Sequence, residues 1–250
     1  MSGGRVFQQA LRVLDGMNLP SEATSDLLAV LEAARRDGQP AQMLYECGVA
    51  AGLTGTGLLD RCAALYLLVA AVNLCDDQID GDVDYLDPPD RLAPSSQALL
   101  LLLAFSELLR AGLPAMTVAQ AQRAFARIAS FPNVEVRTRQ WDLARYRLMA
   151  EETGGRQWAT YLQMLWAGTP LEALAEPFAL NGAVAAYVGE DLRVSDVRLT
   201  SLPAEDQRTV LAWTRTKLQA LTDMKLRPGD ILSQSILPLL DAAEAQLGGA

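Results

Sequence analysis

Apolar positions along the chain recur at intervals of three and four, in stretches closed by Gly and Pro, and show no convincing period-two alternation. This pattern predicts helices and no strands. One helix opens at an N-cap, Ser21, carries Leu27, Leu28, Val30 and Leu31, and is stopped by Gly38 and Pro40. Further helices are predicted over 57–80, 95–110, 118–129, 135–152, 157–167, 171–192 and 203–224, with short connections. Those beginning at Gly57 and Leu171 are apolar around most of their circumference, which makes them central helices covered on several sides. No repeat, low-complexity tract or long linker interrupts the series. The expectation is therefore one all-α domain over 1–250, a bundle of about ten helices.

Half of the 250 residues are hydrophobic and 20% are charged, a globular balance, and the formal charge of −9 argues against nucleic acid or an anionic membrane as partner. The chain contains no His, which excludes His-dependent triads, His-ligated zinc and His general bases. Carboxylates, Cys, Tyr, Lys, Arg and oxygen-bound metals are left to carry chemistry. Cys47, Cys62 and Cys75 form no C-x-x-C pair and read as reduced, buried thiols. The start of the chain lacks a signal-type apolar core, and the longest uninterrupted apolar run, 62–72, is shorter than the ~20 residues of a membrane span. A soluble cytoplasmic protein without stable membrane insertion is expected.

Chemistry concentrates at 76–90, which holds seven Asp and no basic residue. A helix continuing to residue 80 makes Asp76 and Asp80 i, i+4 neighbours and Asp77 and Asp80 i, i+3 neighbours. Like charges at a helix C-terminus oppose both one another and the helix dipole, so a compensating cation is expected. Oxygen ligands in an open arrangement suit Mg²⁺, which keeps waters and recruits phosphate oxygens. A solvated acidic loop is the other reading. An EF-hand is excluded: counted from Asp80, the sixth position is Tyr85 rather than Gly and the twelfth is Arg91 rather than Glu. A second acidic group, Glu190, Asp191 and Asp196, ends the other apolar helix. Two such helix ends can set carboxylates across one cavity, although acids at a helix end are also ordinary surface.

Asp76-Asp77-Gln78-Ile79-Asp80, followed by Gly81, resembles the first aspartate-rich motif, D-D-x-x-D, of the trans-isoprenyl diphosphate synthases, the polyprenyl synthetase branch of the class I terpenoid synthases. Phe178, Gly182 and Glu190-Asp191 resemble the helix and paired acids of the second motif, and Gly155-Arg156-Gln157 with Thr160 loosely echoes a Lys-Thr segment before it. The resemblance spans roughly 35–200 and implies a helical bundle around a central apolar cavity. It also implies an allylic prenyl diphosphate substrate and two or three Mg²⁺ ions, held with the diphosphate by Asp76, Asp77, Asp80, Glu190 and Asp191. Asp76, Asp77 and Asp80 take the catalytic role. Arg91 and Arg156 complete the diphosphate clamp, with Arg137, Arg139, Arg145 and Arg147 as further candidates. Val72 and Asn73 line the cavity one turn before the acids, and Tyr187 stands where a Gln is common. An apolar face on 95–110, which carries five consecutive Leu, suits a homodimer.

Departures shape the functional expectation. Elongating members bind isopentenyl diphosphate through a basic loop; the corresponding Arg35-Arg36-Asp37-Gly38-Gln39-Pro40 keeps the Pro but not the Lys and Arg. Only Arg91 stands where an Arg pair is usual, and Val194 occupies the third acid position of the second motif. The ionisation site is retained while the homoallylic site is eroded. Three readings follow: a prenyltransferase using isopentenyl diphosphate or a non-standard acceptor, a class I terpene cyclase, and a non-catalytic subunit. The cyclase pattern N-D-x-x-S-x-x-x-E is not matched, Ser195 being one place off.

Overall fold

The computed structural model describes residues 2–36 and 40–248, and no strand occurs among them. Gly38, the expected helix stop, and the centre of the 35–40 stretch lie outside the described residues. The chain divides into two compact units, Met1–Gln120 and Ala121–Ala250.

The first unit contains α1 (Ser2–Gly16), α2 (Ser21–Arg36), α3 (Pro40–Ala50), α4 (Gly55–Asp80), α5 (Pro89–Arg110) and the start of α6 (Ala115–Ile128). Helix α4 is its axis, packed by α1, α2, α3 and α5. Every residue from 62 to 71 is buried, because apolar side chains occupy all sides of the helix rather than one stripe. Each large aliphatic buried there contributes about 1.5–3 kcal/mol. Polar tips in this core are satisfied across helices. The Tyr66 hydroxyl donates to Leu31 O of α2 at 2.8 Å, the Cys62 thiol reaches Leu44 O of α3 at 3.5 Å, and Gln97 of α5 donates to Ala71 O at 3.3 Å. By length and composition alone, α4 and α5 could each cross a membrane; 67% of the apolar window of α4 is buried within the protein, against 33% of that of α5. Asn73 ends the uninterrupted apolar run of α4 at 62–72, although the mean over its longer window stays apolar.

In the second unit lie α7 (Pro132–Val136), α8 (Leu143–Met149), a π-helical turn (Ala150–Arg156), α9 (Gln157–Trp166), a 3₁₀ turn (Glu172–Leu174), α10 (Ala175–Val194), α11 (Val197–Thr200), α12 (Ala204–Asp223) and α13 (Arg227–Gly248). Helix α10 is the axis here, contacted by the π turn, α9, α11, α12 and α13. Gly154 and Gly155 let the π turn approach it: a Cβ on Gly155 would lie 2.9 Å from Leu180 Cδ2, and one on Gly154 would lie 3.2 Å from Ala183 O. The single helix expected over 135–152 is instead α7, an irregular segment, α8 and the start of the π turn. Asp142 explains the restart, since its carboxylate accepts the Arg145 N–H at 2.7 Å and caps α8. None of the three Cys forms a disulfide; Cys47 and Cys62 are buried and Cys75 is half-buried.

Candidate active site

Helix α4 runs on to Asp80, as the first acidic motif requires. Gly81 follows in the left-handed conformation (φ 80°), and the N–H groups of Gly81 and Asp82 both bond the Asp77 carbonyl. Asp76, Asp77 and Asp80 therefore share the last turn of the helix, Asp76 and Asp80 exposed and Asp77 half-buried. The chain then doubles back through 82–88, anchored by buried Val83 and Leu86, and carries Tyr85 over the helix end. The Tyr85 hydroxyl donates to Asp77 Oδ2 at 2.5 Å. Val72 and Asn73 lie half-buried one turn earlier, and Arg91 is exposed in the first turn of α5. Among the described residues no three acidic or thiol side chains are gathered closely enough to hold a metal ion by themselves. The donor set nevertheless suits Mg²⁺, whose octahedron is completed by water and phosphate oxygens around one or two carboxylates.

The second acidic group has a different environment. Asp191 of α10 is 1% exposed, and both of its oxygens are engaged: Oδ2 accepts from Tyr146 at 2.8 Å and Oδ1 from Arg198 at 2.8 Å. Arg198 also reaches Asp196 at 3.0 Å and Glu135 at 2.6 Å, and its guanidinium stands 5.0 Å from the centre of the Tyr187 ring. Burial raises the Asp191 carboxyl to about 6 against the pull of Arg198 and Tyr146. Glu190, next in sequence, is exposed and pairs with Arg193 one turn on. Asp191 thus serves a buried ion-pair network, and Tyr187, expected at a substrate, packs against Tyr146 with its hydroxyl buried and without a hydrogen-bond partner. Tyr146, Arg198 and Glu135 were not singled out for this network from sequence; the spacing of Asp196 and Arg198 was its one local signal.

Arg156 is likewise engaged. Its Nε donates to Glu152 Oε1 at 3.0 Å, its Nη1 lies 3.6 Å from Glu176, and Arg127 reaches the same Glu152 oxygen at 3.0 Å. Glu152 Oε2 is buried without a hydrogen-bond partner. Of the other Arg candidates, Arg137, Arg139 and Arg145 are exposed, while Arg147 stacks on Trp213 at 5.2 Å.

The architecture is that of the all-α isoprenyl diphosphate synthases. A geranyltranstransferase of Thermotoga maritima superposes with a TM-score of 0.68 at 15% identity, covering 100% of this chain and 98% of its own. For a geranyltransferase of Legionella pneumophila the TM-score is 0.70 at 14% identity, with 99% and 95% covered. A geranylgeranyl pyrophosphate synthase of Corynebacterium glutamicum, complexed with isoprenyl diphosphate and magnesium, gives 0.59 at 16% identity, with 99% and 92% covered. At these identities the fold is what is shared. No protein-family model and no curated protein sequence matches the chain.

Proposed function

We propose that the protein is a Mg²⁺-dependent prenyltransferase-like enzyme that ionises an allylic prenyl diphosphate, releases pyrophosphate and passes the prenyl cation to isopentenyl diphosphate or a non-standard acceptor. The observation that carries this reading is the set of three carboxylates on the last turn of the buried helix α4, in a chain whose fold matches prenyl diphosphate synthases over its whole length. That coverage also supports treating 1–250 as one isoprenoid synthase-like domain. Asp76, Asp77 and Asp80 would hold the ions, and the second-motif acid Glu190 would have to leave Arg193 to take part. Bound Mg²⁺ would neutralise the charge that develops on the departing diphosphate. Arg91 is exposed and can bind phosphate oxygens, whereas Arg156 must first leave Glu152 and Glu176. Asn73 can orient Asp76 or Asp77 from one turn below, and Val72 supplies apolar wall. We read the protein as cytoplasmic and homodimeric, with exposed Leu102 and Leu109 of α5 on the dimer face, and without membrane insertion because α4 is a core helix.

One observation favours the non-catalytic reading: Asp191, the second-motif acid expected on a metal, is locked to Tyr146 and Arg198. The test is pyrophosphate release with Mg²⁺ from ten-, fifteen- and twenty-carbon allylic diphosphates, with and without isopentenyl diphosphate, and with Asp76→Asn as control. Release that depends on Asp76 is expected. Product analysis separates the readings: a longer diphosphate identifies elongation, and a hydrocarbon or alcohol formed without isopentenyl diphosphate favours a cyclase or a transferase lacking its acceptor. No release from any substrate would refute the enzymatic reading.

A further inference from the structure

Tyr85 lies outside the acidic motif, yet its hydroxyl reaches into it, donating to Asp77 Oδ2 at 2.5 Å. This contact is built rather than incidental. Gly81 reverses the chain, the N–H groups of Gly81 and Asp82 close on the Asp77 carbonyl, and Val83 and Leu86, 7% and 4% exposed, pin the returning loop on either side of Tyr85. A hydrogen bond to an ionised carboxylate is among the stronger ones. It draws electron density from Oδ2 and fixes the plane of the carboxylate.

We propose that Tyr85 is a positioning residue that restricts Asp77 to one-oxygen coordination and thereby sets the site for Mg²⁺ against Ca²⁺. This role rests on the metal and diphosphate reading of the site and follows from coordination chemistry. Ca²⁺ takes six to eight oxygens and commonly both oxygens of a carboxylate, whereas Mg²⁺ requires a compact octahedron and takes one oxygen from each carboxylate. With the phenol on Oδ2, coordination through both oxygens of Asp77 competes with that hydrogen bond, whereas coordination through one need not. A cation that depends on both oxygens is therefore penalised more than one that takes a single oxygen.

The experiment is calorimetric titration of the full-length protein with MgCl₂ and with CaCl₂, each in the presence of inorganic pyrophosphate, for wild type and Tyr85→Phe. Thermal unfolding of both is recorded beside the titrations. Wild type is expected to bind Mg²⁺ with pyrophosphate in preference to Ca²⁺. Tyr85→Phe is expected to tighten Ca²⁺ binding by about tenfold, the scale of one hydrogen bond to a charged group, while Mg²⁺ binding moves by less than about threefold. Leu86→Ala is the control, since it loosens the same loop but keeps the phenol. Equal shifts for both cations, no shift for either, or the same selectivity change in Leu86→Ala would overturn the role given to the hydroxyl. A wild type that binds neither cation with pyrophosphate would instead refute the site reading itself, and the inference with it.

Discussion

Replacing Arg198 by Met should expose what the second acidic group does. The guanidinium is the common partner of Asp191, Asp196 and Glu135, and only Asp191 is fully buried. Removing one member of a buried pair costs about 3–5 kcal/mol, because the remaining charge is left in a poorly solvating site. Losing the more exposed contacts to Asp196 and Glu135 adds roughly 0.2–1 kcal/mol each. At pH 8 the variant should therefore unfold about 7–28 °C lower than wild type, taking roughly 2–4 °C per kcal/mol for a chain of this size. The pH dependence makes the test specific. The folded carboxyl of Asp191 is raised to about 6 from an ordinary 3.8, so the stability it lends is complete below 3.8 and is lost as pH rises through about 6. Without Arg198 that folded value moves higher still, and at pH 5 a protonated Asp191 no longer misses its partner. Urea unfolding at pH 5 and pH 8 should show a deficit of several kcal/mol at pH 8 that shrinks to about 1–2 kcal/mol at pH 5. A deficit below about 1 kcal/mol at pH 8, or the same deficit at both values, would show that Asp191 does not depend on Arg198.

The two helix ends make opposite backbone predictions. Gly81→Ala, at φ 80°, should cost about 1–2 kcal/mol in urea unfolding, whereas Ser195→Gly, at φ 55°, should gain up to about 1 kcal/mol; the reverse order would contradict the left-handed caps of α4 and α10. Thiol titration with an aromatic disulfide should label half-buried Cys75 first. Cys62, pushed up to about 12 by burial, and buried Cys47, raised further, should react only on unfolding; fast labelling of either in the native protein would refute their placement.

The legible parts of the fold were those in which one helix carries its own signal. Segments 57–80 and 171–192 are apolar around most of their circumference, and the helices they predict, α4 and α10, are the axes of their units. Among the described residues, four helices, α1, α3, α11 and α13, were not named from the pattern. In α1, Val6, Phe7, Ala10, Val13 and Leu14 are buried at helical spacing, but neighbouring Gly and polar residues hid the period. Helix α13 contains Pro238 and opens on Arg227-Pro228-Gly229, which reading by punctuation treats as interruption although Pro228 is tolerated in a first turn. The division of 135–152 was equally hidden, because an Asp cap at 142 and a π turn depend on hydrogen bonds that local composition does not specify.

The two acidic groups each end an apolar helix, three Asp in the first and Glu190-Asp191 in the second, and their surroundings distinguish them. After Asp77 the chain supplies no basic residue before Arg91, Asp76 and Asp80 are exposed, and Asp77 accepts from a phenol, which orients a carboxylate without neutralising it. After Asp191 the chain turns at Ser195 into α11 and delivers Arg198, which neutralises the acid from within the unit. A carboxylate already paired and desolvated must give up an ion pair to bind a cation, whereas like charges crowded at a helix C-terminus are relieved by one. Of the two groups, the first is therefore the one we propose to take an external cation, while Asp191 keeps Arg198.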